Sequence, residues 1–83
     1  MNILVESIQS AKYADGHVTV VLGSGVEIRF PILGNPRLEG APAQALTNIE
    51  CSPFGIHWPE LDEDLSLEGI ARGDYGQHQK RPA

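Results

Sequence analysis

Four carboxylates crowd into one short run, Glu60, Asp62, Glu63 and Asp64, just after His57 and not far beyond Cys51. Oxygen ligands of this kind suit a hard cation such as Mg²⁺ or Ca²⁺. The pattern of a calcium loop, spaced Asp or Asn with a central glycine and a distal Glu, is nevertheless absent. Ahead of a helix N-terminus the same carboxylates are favoured by the helix dipole and by free N–H groups, so folding alone also accounts for them. With Glu60 or Asp62 nearby, His57 has the makings of a general base, yet no Ser or Cys nucleophile stands at a recognisable spacing. It alternates with Ile56 and Trp58 along a strand and should face away from both, as a solvated or hydrogen-bonded surface residue.

The other reactive residue types are isolated. Cys51 is the only cysteine, so it forms no internal disulfide, and no metal-knuckle spacing surrounds it. Without a neighbouring His or Lys to activate its thiolate, it is expected to be a small buried or half-buried strand residue. Gly23-Ser24-Gly25 lacks the length and the lysine of a phosphate loop and reads as a turn. Trp58 is expected to fill the core with its indole N–H on a backbone acceptor. The alternative role for it is a partly exposed interface anchor. Arg37 is the expected counter-ion of the acidic segment, a surface pairing worth about 0–1 kcal/mol.

Charge narrows the partners. The 83-residue chain carries a formal net charge of −5, with six Lys and Arg in all. Between Leu38 and Ala71 there is no Lys or Arg, whereas Glu39, Glu50, Glu60, Asp62, Glu63, Asp64 and Glu68 all occur. Such a stretch repels nucleic acid and anionic lipid and attracts a basic partner. Its plainer role is to keep a small domain in solution. At 41% hydrophobic and 20% charged residues the composition is that of a globular chain, too apolar for disorder. The N-terminal residues lack the basic start of a signal peptide, and no apolar run approaches membrane-spanning length. The expectation is a soluble, cytoplasmic protein.

The elements that position these residues are short. Ile3 to Ile8, His17 to Leu22 and Val26 to Phe30 read as strands, with Val18, Val20 and Leu22 on one face and Val26, Ile28 and Phe30 inward on the third. Asp15-Gly16 marks a tight hairpin turn and Gly23-Ser24-Gly25 a three-residue connection. Pro42 opens a short helix through Leu46, weakly capped because Ala41 precedes it. Ile49 to Ser52 and Phe54 to Trp58 read as two more strands, broken by Pro53. Ser66 is placed to cap a last helix whose Leu67, Ile70 and Ala71 share a face, with Leu65 as staple to Ile70, Arg72 in the last turn and Gly73 as its stop. The fold class expected is α+β, a small antiparallel β-meander of about five short strands packed with two short helices. Residues 1–75 form one domain in this reading, and 76–83 a disordered C-terminal tail. A core this small leaves little room for a deep pocket, which points to function at the surface.

The combination of Arg37-Leu38, the short helix from Pro42 to Leu46 and the run Gly55-Ile56-His57-Trp58-Pro59-Glu60-Leu61-Asp62-Glu63-Asp64-Leu65-Ser66-Leu67-Glu68-Gly69 resembles the bacterial domain-of-unknown-function 2442 family. The resemblance covers roughly residues 3 to 73, and His57 through Gly69 is its most specific part. It implies a small β-rich α+β domain and no established catalytic residues. Some longer relatives carry a helix-turn-helix module after this domain, which is not expected here. Short members are often encoded beside a second small protein, an arrangement that resembles toxin–antitoxin pairs. Ala41 departs from the capping threonine that similar sequences tend to have, and the tail beyond Gly73 looks particular to this chain.

The functional expectation is a non-catalytic protein-interaction module, an antitoxin-like or regulatory partner of a small basic protein. Its partner-binding residues would be Arg37, His57, Glu60, Asp62, Glu63 and Asp64. No catalytic residue, metal ligand or cofactor is expected, and neither nucleic-acid binding by itself nor membrane binding. Homodimerisation through an exposed sheet edge is a further expectation. The alternative function is a small metal-binding or metal-dependent hydrolytic domain using the acidic 60–64 segment with His57.

Overall fold

The structure, a computed structural model, describes residues 6–77. Two three-stranded antiparallel sheets follow one another along the chain. The first has the order β1 (Ile8–Ala14), β2 (His17–Leu22), β3 (Glu27–Pro31). A loop and the helix α1 (Ala43–Leu46) lead to the second, with the order β4 (Glu50–Ser52), β5 (Gly55–Trp58), β6 (Glu63–Ser66), and α2 (Leu67–Ala71) closes the fold. The α+β class is as expected, with six strands in two sheets where the sequence suggests about five in one meander.

Local chemistry accounts for the first sheet. Asp15 and Gly16 both adopt positive φ, 50° and 80°, which is the type I′ geometry matching the twist of a two-residue hairpin. That turn obliges Ala14 and the residues before it to pair with β2, in the register Ala14↔His17 through Ala11↔Val20. The first strand therefore runs over Ile8–Ala14; of the expected strand Ile3 to Ile8, residues 3–5 lie outside the described residues and residues 6–7 are not in a strand. The register shifts between Ile8 and Ser10, an extra residue that lets Ile8, Ala11 and Tyr13 all reach the core. On β2, Val18, Val20 and Leu22 are completely buried. On β3, Phe30 is buried and Ile28 partly so, but Val26 sits in the turn before the strand and stays exposed.

The second sheet departs further from expectation. The 60–64 segment is not a bridge into a helix: it is a turn followed by β6, in which Glu63 and Leu65 face inward and Asp64 and Ser66 outward. Asp62 makes the turn possible by taking a positive φ of 50°. The carboxylates of Asp62, Glu63 and Asp64 thus do not sit at a helix N-terminus. Ser66 does, with its Oγ accepting from Gly69 N at 3.0 Å. Leu67 and Ile70 are buried as expected, Ala71 is exposed, and Gly73 stops the helix at φ 87°. The first helix starts one residue later than its sequence suggests, with Pro42 in the extended cap position and no side-chain cap.

The sheets adjoin where β1 runs beside β4, and Ile8 N donates to Pro53 O at 2.7 Å. Between them lies one apolar cluster of Val18, Val20, Leu22 and Phe30 against Ile56, Trp58 and Leu65, closed by Leu38, Leu46, Leu67 and Ile70. Each such side chain contributes about 1.5–3 kcal/mol on burial. Trp58 is fully buried with its Nε1 donating to Leu46 O at 3.0 Å, so it is a core residue and not an exposed anchor. The last segment wraps back: Tyr75 stacks on Phe30 with ring centroids 4.6 Å apart. Gly76 is buried and Gln77 Nε2 donates to Gly73 O, so these two residues, assigned to the tail by sequence, are packed. The expected disorder of 78–83 lies outside the described residues. Among the described residues no helix is long and apolar enough to cross a membrane.

Asn35 ties the parts together. It is 1% exposed, and its Nδ2 donates to Glu63 Oε2 (2.8 Å) and to Tyr75 O (2.9 Å). Its Oδ1 accepts from Arg37 N (2.9 Å) and Leu38 N (3.2 Å). One side chain thus joins the loop after β3 to β6 and to the C-terminal segment.

Candidate functional site

Alternation along β5 turns Ile56 and Trp58 into the core and Gly55 and His57 outward. The hairpin β4–β5 and the pairing β5–β6 then align two rows across the outer face, Glu50–His57–Asp64 and Ser52–Gly55–Ser66. His57 therefore has a carboxylate residue on either side. Its Nδ1 lies 2.7 Å from Asp64 Oδ1, an ion pair when the ring is protonated. That contact lacks hydrogen-bond geometry, and Nδ1 is shielded from solvent without another partner.

The two rows floor an open groove of about 490 Å³. Glu50, His57 and Asp64 line one part and Ser52 and Ser66 another, with Phe54 at the rim. Gly55 keeps the floor low, since a Cβ there would stand 3.2 Å from Leu65 O. Phe54 is 61% exposed, although its backbone is held by the bond from Leu67 N to its carbonyl (2.8 Å). Among the described residues no Lys or Arg lines the groove.

The six residues singled out by sequence are only partly brought together. His57 and Asp64 meet on the outer face. Glu60 and Asp62 are exposed on the β5–β6 turn, where Glu60 Oε2 accepts from Asn48 Nδ2 at 2.8 Å. Glu63 is buried, bonded to Asn35, and does not reach the surface on which a partner would sit. Arg37 is exposed in the loop after β3, with its backbone N–H on Asn35 Oδ1. Among the described residues the ion pairs are His57–Asp64 and Arg72–Glu68, so Arg37 does not neutralise the acidic segment. Sequence reading missed Glu50 and Phe54. Treating Pro53-Phe54 as a two-residue hairpin loop would have placed Glu50 opposite His57.

The hydroxyls in the groove are engaged: Ser66 Oγ by Gly69 N, and Ser52 Oγ as a donor to Gly55 O (3.3 Å). Cys51 is exposed, not buried or half-buried as expected. Partial desolvation of its sulfur nonetheless pushes the thiol above its ordinary range, against the opposing effect of a hydrogen bond with the Ala11 backbone. Among the described residues no three His, Cys, Asp or Glu side chains converge to hold a metal ion.

Among curated proteins, none matches the chain. Two solved structures are similar to it. One is a protein of unknown function from Rhodospirillum rubrum, 34% identical, aligned over 88% of this chain and 93% of that one with a TM-score of 0.77. The other is an uncharacterised protein from Chromobacterium violaceum, 29% identical, aligned over 87% of this chain and 70% of that one with a TM-score of 0.73. The profile of the family described as "Protein of unknown function (DUF2442)" matches residues 8–76, the whole of both sheets and both helices, and the chain belongs to that family.

Proposed function

We propose that this protein is a non-catalytic interaction module that receives a basic segment of a partner protein on the outer face of its second sheet. The observation that carries this reading is the groove itself, in which Glu50 and Asp64 flank His57, no Lys or Arg among the described residues lines the walls, and Phe54 stands exposed at the rim. Carboxylates there steer and orient a Lys or Arg side chain, and an exposed aromatic supplies apolar contact and a cation–π face. Engaged hydroxyls and a thiol with a raised pKa favour binding over catalysis. The partner fits the description of a small basic protein, with this chain as its antitoxin-like or regulatory counterpart in the cytoplasm.

The test is titration of ¹⁵N-labelled protein with an extended Lys/Arg-rich peptide and with its Glu-substituted counterpart, alongside co-expression with the product of the neighbouring gene. Shifts confined to β4, β5, β6 and Phe54, lost in E50K/D64K, are expected for the basic peptide only. Equal binding of both peptides, shifts on the first sheet, or retention of binding in E50K/D64K would sink the reading.

A further inference from the structure

We infer that β3 is a self-pairing edge, through which two copies of this chain form a two-fold dimer with one continuous sheet of both first sheets. The inference concerns the sheet that does not carry the groove, and a partner on β4–β6 is compatible with it.

The backbone of β3 settles which groups are free. Leu22 N donates to Val26 O (2.9 Å) and Ile32 N to Gly16 O (3.0 Å), and the register between them pairs Val20 with Ile28 and Val18 with Phe30. Even-numbered residues of β3 therefore spend their N–H and C=O groups on β2. By the alternation of an antiparallel ladder, Glu27, Arg29 and Pro31 turn theirs to the other side. Among the described residues no strand pairs with that edge, and no backbone bond reaches those groups.

The side chains then choose one register. Glu27 and Arg29 are exposed, lie on the outer face, and make no ion pair among the described residues. An antiparallel pairing centred on Ile28 sets Glu27 opposite Arg29 of the second copy and, by the two-fold, Arg29 opposite Glu27. Each of these pairs is of the kind that exchanges both N–H···O bonds, because both residues have outward backbone groups. Pairings centred one residue to either side put Glu27 against Glu27 or Arg29 against Arg29, and like charges directly opposite are destabilising. The register centred on Arg29 also brings Pro31, which has no N–H, into the ladder. On the inner face the favoured register stacks the partly buried Ile28 on Ile28, with Val26, which is 37% exposed, flanking the pair. The two edge charges are of opposite sign and symmetric about one residue, which makes the edge self-complementary.

Sedimentation equilibrium of the full chain from micromolar to millimolar concentration tests this. The expected result is a reversible dimer that weakens as salt rises. E27R and R29E, both at exposed positions, each convert two attractive pairs into two repulsive ones, so each alone should associate at least about tenfold more weakly. The double swap E27R/R29E should dimerise again, and an equimolar mixture of the two single variants should form a heterodimer. Circular dichroism shows whether each variant is folded, and the mixture remains decisive even if one variant is less stable. A wild-type monomer at millimolar concentration, a dimer indifferent to the single reversals, or failure of both the double swap and the mixture to associate would overturn the inference.

Discussion

Replacing Asn35 by alanine removes a side chain that is 1% exposed and bonded to Glu63, Tyr75, Arg37 and Leu38. The bond to the Glu63 carboxylate is the largest loss, about 1.5–3 kcal/mol for a buried bond to a charged group. Leu38 N also shares the Asn35 main-chain carbonyl (3.2 Å), so it is not orphaned, and the Arg37 and Tyr75 bonds are only partly buried. These three together add about 1 kcal/mol, which makes the total about 2.5–4 kcal/mol. A chain of this length has about 4–12 kcal/mol of stability, so the substitution removes a large share of it. At a urea slope near about 1–1.5 kcal/mol/M the midpoint should fall by roughly 2 M or more, with the slope unchanged. Asn35→Asp keeps the shape but sets a second carboxylate against Glu63. It should be at least as damaging at neutral pH, because two like charges then face each other in a buried site. A loss below about 1 kcal/mol in N35A would show that Asn35 does not hold the parts together.

Trp58→Phe should cost about 2 kcal/mol through a cavity and the lost bond to Leu46 O, measured by circular dichroism in urea. In the wild type, Trp58 emission should be blue-shifted and move to the red on unfolding. Ser66→Ala should cost about 1 kcal/mol by freeing Gly69 N, and Ser66→Asp should keep most of it. Cys51 should alkylate more slowly than free cysteine at neutral pH, because a raised thiol pKa leaves less thiolate. The midpoint of its rate against pH should lie above that of free cysteine.

Legibility in the sequence follows how local each cause is. The Asp15-Gly16 turn, the Val18-Val20-Leu22 face, the Ser66 cap and the Gly73 stop each rest on a few neighbouring residues, and all are present. The strand β6 is hidden because Glu63 stands at an inward position, where an alternating pattern asks for an apolar residue. Asn35, far away in sequence, supplies the buried side-chain bond to it, beside the local bond from Asp64 N to Glu63 Oε1. In its own segment Asn35 reads merely as the residue before Pro36. The candidate groove is half visible for a similar reason. His57 and the acidic run stand out along the chain, whereas Glu50 joins them only through the register of a hairpin whose loop is Pro53-Phe54. The same carboxylate run that makes the segment conspicuous disguises Glu63 as a surface residue.

The reach of the Asn35 bonds also has a kinetic meaning. Each sheet is a succession of hairpins between residues close in sequence, whereas Asn35 meets Glu63 and Tyr75 across 28 and 40 residues. Short-range pairings form early, and contacts that close long loops come late. The Asn35 cluster should therefore be absent from the folding transition state and act as a latch on the finished molecule. In stopped-flow chevrons, N35A should leave the refolding limb nearly where it is and raise the unfolding rate by almost the whole of its destabilisation. A buried amide in an irregular loop then governs how long each folded molecule lasts, while the hairpins govern how fast it is made.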